Sequence, residues 1–220
     1  MSNEIVEDKP RFLKATESIL AEPENLKKQA TQTLDKYRKS HPDISEDEVK
    51  LMVSKKIISK YSYYAAFSGG TTALSGIIPG IGTAVAIGGG ASADAIACIK
   101  FQIEMTMEIA TVYEHDILKE EEKNLCFIIA GLGSINYMGK EGSKKVASKA
   151  FIRLVKEHLK GTTLQIIKEI FKKLGITFTR KALEKAIPFG IGVIIGFSVN
   201  KLITKFVGNR AIDFFTADSK

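Results

Sequence analysis

The side chains that most often do chemistry are sparse in this sequence, and their spacing argues against most sites they could form. His41, His115 and His158 stand alone in polar surroundings, and no HExxH pair exists to hold a hydrolytic zinc. Cys98 and Cys126 form neither a CxxC pair nor a metal spacing and read as buried thiols of a reducing compartment. Ser68-Gly69-Gly70 and Gly133-Ser134 lack the G-x-S-x-G elbow of a nucleophilic serine. GKEGSK at Gly139–Lys144 lacks the four-residue spacer of a phosphate loop, and no strand precedes it. The GIG and GGG runs have no βαβ unit around them, so they are not a dinucleotide fingerprint. Glu104 and Glu108 are one helical turn apart and could share a cation. With no histidine or second carboxylate pair at di-metal spacing, they read as a solvated helix face. The expectation is therefore no catalytic residue, no metal and no cofactor.

What does stand out is Tyr61–Ala93, thirty-three residues without a charged side chain, followed at once by Asp94. The length suffices to touch the hydrocarbon core of a bilayer. The composition is wrong for an ordinary spanning helix, being rich in Gly, Ser and Thr and broken at Pro79-Gly80. A second segment, Ile187–Asn200, also opens with proline and small residues and runs to a polar side chain. Gly80, Gly82, Gly89, Gly90, Gly190, Gly192 and Gly196 are read as helix-packing or membrane-contact positions, since small residues let helix backbones approach. The alternative is tight packing inside a soluble bundle, which would normally use fewer consecutive glycines because each weakens a helix. Asp94 either caps the next helix or is a buried carboxylate paired with Asn200, Lys100 or a partner helix.

Lys and Arg outnumber Asp and Glu by 32 to 25, leaving a net charge of +7. Anionic partners follow, as lipid headgroups or nucleic acid. Few arginines and no tryptophan disfavour nucleic acid. The lysines crowd the C-terminal half. Lys144, Lys145, Lys149, Lys156, Lys160, Lys168 and Lys172 lie on amphipathic stretches, the pattern of a helix on an anionic surface and equally of a solvated basic bundle.

The elements that position these residues all read as helices. Pro10 and Pro23 suit first-turn positions of one or two helices over 9–40. Ser45 with Glu48 is a capping box that starts a helix running to about Phe67. The next helix begins near Ile81, pauses at Gly88–Gly90 and resumes through Asp94 to about Tyr113. Another covers Lys119–Tyr137, whose uncharged part of sixteen residues is short of the roughly 20 needed to span. Ser143–Leu159, Thr162–Leu174 and Thr177–Ala186 read as separate amphipathic helices. Pro188 opens an apolar helix, and a short terminal helix surrounds Arg210–Phe215. No alternation of strand type persists. The expected fold is all-α, a single multi-helix domain over 45–220 with Gly-rich apolar hairpins, preceded by a helical extension over 1–44. The polar, acidic N-terminus MSNEIVEDKP has no signal-peptide core.

The stretch GIIPGIGTAVAIGGGASAD, the following helix with Gln102 and Glu108, and IATVYEHD at Ile109–Asp116 resemble the EcsC family of bacterial proteins, and more distantly the YcjF-like membrane domains. Asp94, Ile109, Ala110, Tyr113 and Asp116 fall on the family pattern, with Glu114 in place of its usual glycine. A second match is Ile187–Phe215, with Asn200, Gly208 and Ala211. The resemblance covers roughly Tyr61–Phe215 and implies an all-helical, membrane-related protein with no catalytic residues to carry over. The function expected is non-catalytic binding of lipid or of a membrane complex such as a transporter or secretion machinery. The expected location is the cytoplasmic side of the cell membrane, peripheral or monotopic, with an anionic surface or membrane complex as partner. A soluble regulator or carrier of an apolar ligand, a membrane-inserting defence or immunity protein, and a lipid-active enzyme using Asp94 are the alternatives.

Overall fold

The computed structural model describes residues 9–67, 78–88, 93–139, 147–160, 163–184 and 192–218, with side chains described to 178 in the fifth stretch and from 199 in the last. Among the described residues there are nine helices and no strand, as the periodicity predicts. They are α1 Arg11–Glu17, α2 Pro23–Ser40, α3 Glu46–Phe67, α4 Ile81–Ile87, α5 Ala93–Val112, α6 Glu120–Met138, α7 Ser148–His158, α8 Thr163–Glu184 and α9 Gly192–Asp218.

Local signals place several of these ends. Pro10 precedes α1 and Pro23 opens α2. The capping box at α3 forms: Glu48 N–H donates to Ser45 Oγ at 3.4 Å, and Ser45 N–H donates to Glu48 Oε2 at 3.3 Å. Gly80 caps α4 at φ +80, a left-handed conformation that costs an L side chain about 1–2 kcal/mol. The end of α5 is a Schellman turn, in which His115 N–H reaches Ala110 O and Glu114 N–H reaches Thr111 O, each at 3.0 Å. Glu114 takes φ +70 there, the position glycine usually fills.

Two expected breaks are absent. Residues 163–184 form one helix through Gly175, and 192–218 form one helix through Gly208. Both glycines answer to packing rather than to termination. A Cβ on Gly175 would stand 3.2 Å from Phe12 Cβ, and one on Gly208 would stand 2.5 Å from Ile58 Cγ1 and 3.0 Å from Met105 Sδ. Gly131 on α6 is a third such notch, where a Cβ would run into Ile170 Cγ2.

Helix α5 is the axis of the bundle. It packs against α1, α2, α3, α4, α6 and α9, and every residue from Ala95 to Val112 is buried. Contacts set the directions. Tyr64 meets Phe101 while Lys60 meets Glu108, so α3 runs antiparallel to α5. Gln102 meets Thr204 and Tyr113 meets Phe215, so α9 runs parallel to α5. Ser134 meets Gln102 while Glu122 meets His115, so α6 runs antiparallel. The N-terminal residues are part of this core. Phe12, Leu13, Ala15, Leu26, Ala30 and Leu34 are buried, with α1 against α4, α5 and α8 and α2 against α3 and α5.

Candidate functional site

Two features of the bundle hold polar or exposed groups in unusual places. The first is a seam of buried polar side chains on α5. Glu104 and Glu108, expected on a solvated face, are only 3% and 2% exposed. Each is compensated separately. Lys100 Nζ donates to Glu104 Oε1 at 2.6 Å, and the Ala21 N–H donates to the same oxygen at 2.7 Å. Lys60 Nζ donates to both Glu108 oxygens at 2.7 and 2.9 Å, and Tyr61 Oη donates to Oε1 at 2.7 Å. An uncompensated carboxylate at this depth would cost several kcal/mol; the Lys100–Glu104 pair lies within α5, whereas the Lys60–Glu108 pair joins α3 to α5.

Gln102, on another face of α5, is fully buried. Its Oε1 accepts a short hydrogen bond from Ser134 Oγ, and its Nε2 donates to Cys98 Sγ at 3.2 Å and Thr204 Oγ1 at 3.4 Å. One side chain thus joins α5, α6 and α9. Burial, then the neighbouring Glu108 carboxylate, pushes the Tyr61 phenol well above its ordinary range, so it stays a donor. Burial likewise raises the Cys126 thiol, which keeps it a neutral packing group. Both carboxylates of the seam are engaged by these partners. Among the described residues no group of three His, Cys, Asp or Glu could hold a metal ion.

The second feature is the end of the bundle where α3 finishes and α5 and α9 begin. The antiparallel and parallel pairings above bring these termini together. Tyr63 and Tyr64 are each 46% exposed there, and Phe67 is 59% exposed. Leu202 on α9 is exposed nearby, and Lys201 Nζ lies 3.8 Å over the Tyr63 ring. Helix α4 lies alongside the first half of α5. Gly80 meets Ile19, two residues before the Ala21 amide that reaches Glu104, and Gly82, Thr83 and Ala86 are exposed. Chemically this end can present aromatic and small apolar groups to a non-aqueous or protein surface.

The residues expected to carry function are distributed as follows. Gly80 caps α4, and Gly82 is open to solvent with no atom near its missing Cβ. Gly89, Gly90 and Gly190 lie outside the described residues, and Gly192 and Gly196 fall in the first turns of α9. Asp94 stands in the first turn of α5, and Asn200 is buried inside α9. The expected candidate partner Lys100 belongs to Glu104. Lys149, Lys156, Lys160 and Lys172 are exposed and Lys168 is half-buried, while Lys144 and Lys145 lie outside the described residues. Lys156 pairs with Asp218 at 3.2 Å. Sequence reasoning missed the Gln102 network and the packing glycines. The available signal was that apolar residues of Ala95–Val112 fall on every face of its helix, the pattern of a buried helix whose polar groups are carried inward.

Comparison of the chain with known protein families, with curated proteins and with solved structures returned no match.

Proposed function

We propose that this chain is a non-catalytic, membrane-associated helical protein of EcsC-like type, which binds lipid or a membrane complex such as a transporter or secretion machinery on the cytoplasmic face. The observation that carries the reading is the exposed aromatic end of the bundle. Tyr63, Tyr64 and Phe67 are exposed at the point where the chain enters the long uncharged segment Tyr61–Ala93. Exposed aromatics in a cluster are uncommon on a water-facing surface and are enriched at membrane interfaces and protein contacts. No helix of the described residues is long and apolar enough to cross a membrane, which favours seating on the bilayer over spanning it. The buried carboxylates support a binding role over a catalytic one, since each is already paired with a lysine.

Fractionation of the native protein tests this, with salt and carbonate washes of the membrane pellet. Resistance to both washes means insertion of the uncharged segments. Release by salt alone means surface attachment. Recovery without any membrane fraction refutes the proposal and leaves a soluble bundle with a protein or apolar ligand.

A further inference from the structure

The expected anion-binding lysines are those of the C-terminal half, but the fold places a different set beside the exposed aromatics. Helices α3 and α9 are antiparallel neighbours, with Ile58 against Gly208 and Tyr63 under Lys201. Along this pair the charges are sorted by height. The aromatic end carries no acid on α3 or on the described part of α9, and Asp94, in the first turn of α5, is the acid of the adjoining helix. Lys201 lies level with Tyr63, four residues from Phe67, or about 6 Å at 1.5 Å per residue. Lys205 follows one turn below and is exposed, as are Lys55 and Lys56 further down α3. The acids of both helices, Glu46, Asp47, Glu48, Asp213 and Asp218, all stand at the opposite end.

Helix α7 lies towards that acidic end. Its Ser148 donates to Asp213 and accepts from Arg210, and Lys156 is engaged by Asp218. Its lysine stripe is therefore partly neutralised and lies away from the aromatic tip.

We infer that the α3–α9 end seats upright on an anionic lipid surface, with Tyr63, Tyr64 and Phe67 at the headgroup boundary and Lys201 and Lys205 forming a basic collar at the headgroups. This rests on the membrane reading and names its lipid class and orientation. The occupant follows from charge complementarity. An aromatic tip entering the interface to a depth of about 5–10 Å brings Lys201 to the phosphate level, and long lysine stems let Lys205 reach it. The acids at the far end are held away from the negative surface, which would repel them.

The test is co-sedimentation of the full chain with phosphatidylcholine vesicles, with and without phosphatidylserine. It compares wild type, the double variant Lys201→Gln with Lys205→Gln, and the double variant Lys149→Gln with Lys156→Gln. All four positions are surface lysines, and far-UV circular dichroism confirms the fold. Each lysine near an anionic surface contributes a factor of about five, so the α9 pair should lose roughly thirty-fold in affinity for the anionic vesicles. The α7 pair should lose none. Loss in the α7 variant with retention in the α9 variant overturns the inference and leaves the membrane reading intact. Equal wild-type binding to both vesicles overturns the anionic preference alone. Binding to neither, while native membranes still retain the chain, overturns the lipid assignment and makes the occupant a membrane protein. Absence from native membranes as well defeats the membrane reading itself.

Discussion

Substituting Glu104→Gln removes one charge from the centre of the bundle and leaves almost the same shape. The Gln Oε1 can still accept the Ala21 amide, so the bond that ties the α1–α2 connection to α5 survives. What is lost is the partner of Lys100, whose ammonium is also buried and lies 2.6 Å from the carboxylate. Breaking a buried pair from one side costs about 3–5 kcal/mol because the remaining charge is stranded. The retained amide bond and the lysine stem, which can shift outward, place this case near the lower figure, about 3 kcal/mol. For a chain of this size each kcal/mol moves the midpoint by about 2–4 °C, so Tm should fall by roughly 6–12 °C. Urea unfolding followed by circular dichroism at neutral pH reads the same loss directly. The double variant Lys100→Met with Glu104→Gln removes the stranded charge and should return to within about 1 kcal/mol of wild type. A Glu104→Gln chain that loses less than about 1 kcal/mol would behave like a surface pair and refute the buried seam.

Further outcomes follow from the packing and the caps. Gly208→Ala should lower stability by up to about 2 kcal/mol, because overpacking against Ile58 and Met105 costs about 1–3 kcal/mol against about 1 gained in helix propensity. Gly82→Ala should do the opposite and raise Tm, since nothing approaches its Cβ; thermal melts of the two should move in opposite directions. Ser45→Ala should cost about 1 kcal/mol by urea unfolding, through loss of the α3 capping box. The Glu46 carboxyl is held below its ordinary range mainly by its hydrogen bond from Arg38. A depressed folded value means its stabilisation is complete above the unfolded value near pH 4.3 and is lost as pH falls through the folded one. Amide exchange at the α2–α3 corner should therefore quicken as pH drops below about 4, relative to intrinsic rates, and an Arg38→Gln chain should show a smaller change.

The helical class was legible because the cues are local. Pro23 at a first turn, the Ser45–Glu48 box and Pro79-Gly80 before α4 each act within one turn of chain, and each lies where it was expected. Glycine was read less well, because the same residue serves two purposes. Gly175 and Gly208 look like breaks in a sequence, yet each sits mid-helix where another side chain occupies the space a Cβ would need. Distinguishing a break from a notch requires knowing which helix lies opposite. Of the expected packing glycines, Gly89, Gly90 and Gly190 fall outside the described residues, Gly80 caps a helix and Gly82 is open, and the notches seen are Gly131, Gly175 and Gly208 in the body of the bundle.

Composition and pattern alone were enough to establish an all-helical chain, a long uncharged segment, a basic balance and the lack of a motif for metal, nucleotide or nucleophile. These are properties of residue order within a few turns. Which polar groups are buried was a matter of assembly. Glu104 and Glu108 have the spacing of an exposed helix face and become interior because α1, α2, α3, α4, α6 and α9 enclose α5 on all sides. Their cations come from Lys100 one turn away and from Lys60 on a different helix, forty-eight residues distant. The sorting of charge along α3 and α9 has the same origin, since only antiparallel pairing brings the exposed aromatics and the lysine collar to one end and the acids to the other.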